Sequence, residues 1–475
     1  MRKSLKYETV FYGISKYTTV VITLITSAVL SRLLSPAEYG IVSVITVFTA
    51  FFSVLADMGL GTAVIQNKTL SDEEVDDIFS LSVYIAIFLG AVFALLGIPI
   101  AWFYGNSLYR VICLILSVSV FFNAMNIVPN AILMKGKRFM LVGKRLIIVA
   151  VATGSIAVIM ALAGCSYYAL VFQSVFQAFF IFLWNWINAK VRFRFKIRAE
   201  SINKVKNFSF YQFSYNFINY FARNLDNLLI GKVMGSESLA YYDKGYRLMM
   251  YPVQNLTYVV NPIIHPVLSE YQTDRKYIYD SYLKIVRILS SIGVFISFFC
   301  FWSSREIILL FFGSQWEISV PIFKMLSLSV WPQLISTSAG SIYQSTGNTK
   351  LMFRSGTVHF SATILLIVAG IYTGSLNLLA VLVAVSLYLR FFIDYFFLIV
   401  VNFRYPFRNF LFSFRNEIII AAGLAAVSVP AGKIVFFNNM FLNMTVKGMI
   451  LAAIYFVLIF LTGQYRLLRQ ILGKR

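Results

Sequence analysis

Three runs of this chain, Ile78–Tyr109, Leu146–Ala189 and Ser355–Leu389, contain no Asp, Glu, Lys or Arg at all. One helical crossing of a bilayer takes about 20 residues, so each run is long enough for one or two crossings. Inside hydrocarbon the backbone must satisfy its own N–H and C=O groups, which leaves the helix as the form such runs can take. With 59% hydrophobic and 13% charged residues, a water-soluble fold has no support. The expected class is an all-α polytopic membrane protein of about 14 transmembrane helices. The expected spans are 10–30, 39–60, 78–102, 108–132, 145–164, 167–188, 208–231, 248–268, 285–302, 322–343, 355–372, 376–401, 418–437 and 441–462.

Charge supplies the orientation. The 41 Lys and Arg residues outnumber the 19 Asp and Glu, for a net charge of +22, and most bases fall in every second gap between apolar stretches. Basic residues beside a span resist translocation. Both termini are therefore expected in the cytoplasm, with the chain in a bacterial inner membrane. Bases in short loops serve orientation beside anionic lipid, so nucleic acid is not an expected partner. The first apolar stretch is too long for a removable signal and reads as the first span. The polar gap around 189–207 is too short to build a folded domain, so function must reside in the bundle.

Motifs of chemistry are missing. No Gly-x-x-x-x-Gly-Lys-Ser/Thr sequence occurs, and neither His265 nor His359 begins a His-Glu-x-x-His. Cys113, Cys165 and Cys300 stand singly on apolar segments. The acidic run Asp72, Glu73, Glu74, Asp76 and Asp77 follows Ser71 and reads as the capped, solvated start of a helix, where acids complement the dipole. The chain is expected to be no enzyme and to need no cofactor or metal.

Two internal echoes suggest duplication. Ser31–Gly40 and Gly231–Tyr242 are both short turns leading to Tyr before an apolar stretch, while Gly136-Lys137-Arg138-Phe139-Met140 is echoed by Gly347-Asn348-Thr349-Lys350-Leu351-Met352 at nearly the same separation. A duplicated six-span unit has an even number of crossings, so its copies share orientation and relate by a pseudo-two-fold axis along the membrane normal. The expected organisation is a six-helix lobe at 1–190, a basic cytoplasmic linker at 191–205, a second six-helix lobe at 206–403, and two additional C-terminal helices with a tail at 404–475.

These residues carry a resemblance. Arg32-Leu33-Leu34-Ser35-Pro36-Ala37-Glu38-Tyr39-Gly40 leads to Asp57-Met58-Gly59-Leu60-Gly61-Thr62-Ala63-Val64-Ile65-Gln66. Further on stand Arg223-Asn224-Leu225-Asp226-Asn227-Leu228-Leu229-Ile230-Gly231-Lys232, then Tyr242, Gly245, Tyr246 and Arg247, then Phe312-Gly313-Ser314-Gln315-Trp316. The set resembles the polysaccharide repeat-unit flippases of the multidrug/oligosaccharidyl-lipid/polysaccharide exporter superfamily. Leu239-Ala240, where the family writes Leu-Gly, is a small departure, and the last four spans carry little signature. The resemblance implies two six-helix lobes plus two helices, with substrate between the lobes. It also implies movement of undecaprenyl-diphosphate-linked oligosaccharide to the outer leaflet, in membrane lipid, beside polysaccharide polymerase machinery, by a monomer. Two other classes are weighed against it. A membrane-embedded polymerase or ligase would need a large catalytic outer loop, and a cation-coupled multidrug exporter of the same superfold would need an acidic N-terminal site, for which only Asp57 is available.

A dianionic, hydroxyl-rich head requires a basic, aromatic-lined path. Charges within spans are the candidates, since each costs about 2.5–3.5 kcal/mol at a helix centre. Lys16, Arg223 and Arg390 are the expected phosphate ligands, Arg by its fork and Lys as a point charge. The competing reading is local pairing, because Arg223 and Asp226 are three residues apart and Arg390 and Asp394 four. Asp57 is expected as a cap, a partner for Arg32 or a coupling group. Tyr215, Tyr220, Asn216 and Asn219, with Arg223 a turn beyond Asn219, form a polar and aromatic stripe suited to sugar rings.

Overall fold

In the computed structural model the described residues are 2–67, 70–198, 200–202, 217, 220, 224–269 and 274–465. Among them every regular element is a helix, so the chain is an all-α membrane protein. Ten of the described helical stretches are long and apolar enough to cross a bilayer. Their outer surfaces carry large apolar side chains, including Leu95, Ile159, Leu365 and Phe460, each more than 60% exposed. In water that skin would aggregate; in lipid it is the solvated surface.

The chain divides into two compact units, Met1–Ala240 and Tyr241–Arg475. The first contains α1 (Arg2–Leu33), α2 (Pro36–Asp57), α3 (Leu60–Gln66), α4 (Asp72–Tyr104), α5 (Leu108–Met125), α6 (Ile127–Lys135), α7 (Phe139–Leu162), α8 (Tyr168–Ala189) and α9 (224–233). Local chemistry sets several boundaries. Ser35 caps α2, Glu38 reaches back to close the capping box, and Pro36 pre-sets the first turn. At the other end Met58 (φ 41°) and Gly59 (φ 72°) take left-handed backbone and break α2 from α3. The Asp57 carboxylate accepts the N–H groups of Gly59 and Gly61 at that break. Here α4 packs on α5, α5 on α8, α7 on α8 and α1 on α7. The α1–α7 approach is close because Gly143 and Gly154 carry no side chain: a Cβ at either would stand 2.7 Å from Ser15 Oγ or 2.6 Å from Thr26 Oγ1.

The second unit takes up α10 (Ser236–Ser269), whose first turn lies in the first unit. It continues with α11 (Arg275–Trp302), α12 (Ser304–Phe312), α13 (Ser319–Ser327), α14 (Val330–Ser345), α15 (Thr349–Tyr372) and α16 (Leu376–Phe396), which runs into a π-helical turn at Phe397–Asn402. Then come α17 (Phe407–Phe412), α18 (Arg415–Ser428) and α19 (Met440–Leu461). The pairing order of the first unit recurs, with α11 on α14, α14 on α16 and α15 on α16. The two C-terminal helices pack on each other, and both pack on α11.

The helices correct several expected spans. The stretch 322–343 is two helices, α13 and α14, separated at Leu328 and Ser329. The apolar stretch 418–437 holds α-helix only to Ser428 and then a 3-10 turn at Pro430–Lys433, because Pro430 removes a backbone donor. Expected span 248–268 lies inside α10, which is not among the ten apolar candidates, and most of 208–231 lies outside the described residues. Ser71 does cap α4, with Glu74 closing the box. Beyond it Asp72 and Glu73 are exposed, as expected of a solvated face, but Asp77 is not. Asp77 is 1% exposed, accepting from Arg198 Nε at 2.8 Å and Ser201 Oγ at 2.7 Å, while Glu73 takes Arg198 Nη1 at 2.7 Å. Asp76 and Ser80 accept the backbone N–H groups of Arg192 and Arg194, so the basic segment is held along α4. The two carboxylates raise the Arg198 guanidinium above its ordinary pKa.

Candidate functional site

Tyr215, Asn216, Asn219 and Arg223 lie outside the described residues. Tyr220 is described: its side chain is buried, its hydroxyl donates to the Val47 carbonyl of α2, and its ring centroid is 5.5 Å from that of Phe51. Asp226 is buried, its carboxylate accepting the Asn227 N–H at 2.8 Å. Lys16 stands half-buried on α1, next to the fully buried Ser15. Arg32 and Asp57 do not form the expected pair, because Arg32 lies in the last turn of α1, just ahead of α2, and Asp57 ends α2, a helix of about 33 Å at 1.5 Å per residue. Asp57 spends its oxygens on the helix break instead.

Arg390 and Asp394 do meet on α16, Nε to Oδ2 at 3.4 Å. The aspartate has stronger partners from α15: Ser355 Oγ donates to Oδ1 at 2.5 Å and His359 Nδ1 lies 2.9 Å from the same oxygen. Asp394 is 7% exposed. Its own backbone carbonyl takes the Tyr343 hydroxyl at 2.9 Å, so α14, α15 and α16 are tied at one point. Next to Asp394 on α16, the Tyr395 hydroxyl is linked to that of Tyr282 at 2.6 Å, and Tyr282 to Ser338 at 2.9 Å. Arg390, with 28% of its side chain exposed, is the outermost member of this cluster.

Sequence reasoning missed two further groups. The first is Arg145 on α7, 6% exposed, whose Nη1 donates to Asn130 Oδ1 at 3.0 Å and to Asn185 Oδ1 at 2.7 Å. Asn185 Nδ2 in turn donates to Asn126 Oδ1 at 2.7 Å, joining α6, α7 and α8. Arg145 also lines a cavity of about 90 Å³ in the first unit, walled by threonines of α1 and glutamines of α8. The available signal was its place at the head of the charge-free run 146–189, together with asparagines on otherwise apolar segments. The second is Lys447 on α19, 3% exposed, whose Nζ lies 2.6 Å from Glu306 Oε1 of α12. Asn443 Nδ2 donates to the same oxygen at 2.5 Å, and Trp302 supplies a carbonyl to Lys447 at 3.3 Å.

Guanidinium, ammonium, amide and hydroxyl groups are thus buried among helices whose outer faces are apolar.

Residues 29–321 match a family described as polysaccharide biosynthesis protein. A membrane protein in the cps region of Klebsiella pneumoniae is 23% identical over 74% of this chain and 74% of its own length. The teichuronic acid biosynthesis protein TuaB of Bacillus subtilis is 22% identical over 72% of this chain and 71% of its own. Among solved structures, the inward closed conformation of lipid II flippase MurJ superposes with a TM-score of 0.73 at 15% identity, covering 94% of this chain and 98% of that one. The fold is thus the one the sequence motifs led us to expect.

Proposed function

This chain belongs to the polysaccharide biosynthesis protein family, and from that premise we propose that it flips undecaprenyl-diphosphate-linked oligosaccharide from the cytoplasmic to the outer leaflet of the inner membrane, for surface polysaccharide biosynthesis. The family match over 29–321 carries this reading, and the fold shared with a lipid II flippase supports it. A polyprenyl tail stays in lipid during such a passage, while the diphosphate and sugars need a polar route. Lys16, Arg223 and Arg390 hold the diphosphate. Tyr215, Asn216, Asn219 and the Tyr220 ring meet the sugars, whose C–H faces stack on aromatics and whose hydroxyls pair with amides. No bond is made or broken in the passage. One chain suffices, with lobes at 1–190 and 206–403, the linker 191–205 on the cytoplasmic side, and 404–475 appended. The exported unit is then available to a polymerase acting outside.

In cells that synthesise the lipid-linked sugar but lack this chain, sugar on the outer leaflet should be absent by impermeant lectin labelling of spheroplasts, and restored by the wild-type gene. Equal labelling with and without the gene overturns the proposal. The orientation is checked on the same cells. Lys196→Cys, which spares the Arg198 ion pairs, should be shielded from an impermeant thiol reagent, whereas Ser236→Cys should be labelled. The reverse pattern would invert the topology.

A further inference from the structure

We infer that the cavity beside Arg145 is a binding subsite for a sugar bearing an oxyanion, a phosphate or a carboxylate. The inference rests on the export reading above and adds a site in the first unit. Its walls are Thr19, Thr23 and Thr26 of α1, Arg145 and Thr153 of α7, and Gln173 and Gln177 of α8. Gly154 of α7 lets Thr26, one of these walls, sit directly against that helix.

The lining has a consistent chemistry. The Thr19, Thr23 and Thr153 hydroxyls donate to carbonyls one turn back on their own helices, at 2.8 Å in each case. Their protons are spent, so their oxygens face the cavity as acceptors, which suits a ligand rich in hydroxyl donors. The glutamine amides add donors and acceptors. Arg145 adds a buried positive charge with no ion pair among the described residues. Its Nη1 is committed to two amide oxygens, while its buried Nε makes no hydrogen bond. A buried guanidinium donor without an acceptor carries an uncompensated desolvation cost, which an incoming oxyanion removes. A merely structural Arg145, bridging Asn130 and Asn185, would not require four threonines and two glutamines around it. Apart from the diphosphate held by Lys16, Arg223 and Arg390, the oxyanion has two sources within a lipid-linked oligosaccharide: a phosphoryl substituent on one of its sugars, or a uronate.

The test uses the full chain in nanodiscs and three probes, glucose 1-phosphate, glucuronate and glucose, with binding read by isothermal calorimetry. Saturable binding of glucose 1-phosphate assigns the subsite to a phosphorylated sugar, and of glucuronate to an acidic sugar; glucose should bind neither tightly nor saturably. Arg145→Gln should weaken the anionic probe by about tenfold or more, the loss of one charge-assisted contact of about 1.5–3 kcal/mol. Should Arg145→Gln not fold, the pair Gln173→Leu and Gln177→Leu, which leaves the asparagine contacts intact, should weaken it as well. The inference is overturned if the wild type binds neither anionic probe, if glucose binds as well as they do, or if the folded variants bind like wild type. Outer-leaflet labelling in cells run alongside separates the two ideas: export without probe binding sinks the subsite alone, and absence of export sinks the reading beneath it.

Discussion

Replacing Glu306 alone by leucine should destabilise the protein by about 3–5 kcal/mol, because it strands the Lys447 ammonium inside the second unit. That ammonium lies 2.6 Å from the carboxylate and is 3% exposed, with no solvent to turn to. Asn443 loses its acceptor in the same step. Lys447→Met alone should cost as much, by leaving the carboxylate buried and uncompensated. The double replacement Glu306→Leu with Lys447→Met should recover most of the loss, since a buried pair exchanged for apolar groups of similar size is often near neutral. Thermal unfolding in detergent, followed by tryptophan fluorescence, checks this. If the double variant is as weak as either single one, the pair is not what holds α19 to α12.

The second large effect concerns Arg390. If its guanidinium binds the diphosphate, Arg390→Gln should lower export by about tenfold or more while leaving the protein inserted, from the loss of a charge-assisted contact of about 1.5–3 kcal/mol. The double variant Arg390→Gln with Asp394→Asn should remain defective. If Arg390 serves only to balance Asp394, the double variant should regain export. The geometry sharpens the contrast, because Ser355 and His359 hold the Asp394 carboxylate at 2.5 and 2.9 Å and Arg390 only at 3.4 Å. Quantifying outer-leaflet lipid-linked sugar against expression level in the single and double variants separates the two roles.

What could be read from the sequence is what depends on local periodicity and on solvent. Charge-free runs such as Leu146–Ala189 dictate helices in lipid, and Ser35 with Glu38 or Ser71 with Glu74 announce helix starts, because caps act within one turn. The four-residue spacing of Arg390 and Asp394 announced their contact for the same reason. Breaks inside apolar stretches were harder to read: Pro332 leaves the Leu328 carbonyl without its helical donor where α13 ends, yet Pro99 sits inside α4 without ending it. The polar groups that matter most were hidden too. Arg145 finds Asn185 across 40 residues and Lys447 finds Glu306 across 141, pairings that only the packed helices create. Asp77 alone of its carboxylate run is buried, because Arg198 and Ser201, from a distant segment, bond to it.

The central claim, passage of a lipid-linked sugar through this chain, is tested most directly by reconstitution. Purified protein is placed in liposomes with a fluorescent oligosaccharide on undecaprenyl diphosphate, and an impermeant quencher is added. Protein-free liposomes should lose the fluorescence of the outer leaflet only. Liposomes containing the chain should lose nearly all of it, at a rate that rises with protein per vesicle. If the protected fraction is the same with and without the protein, the chain does not flip this lipid.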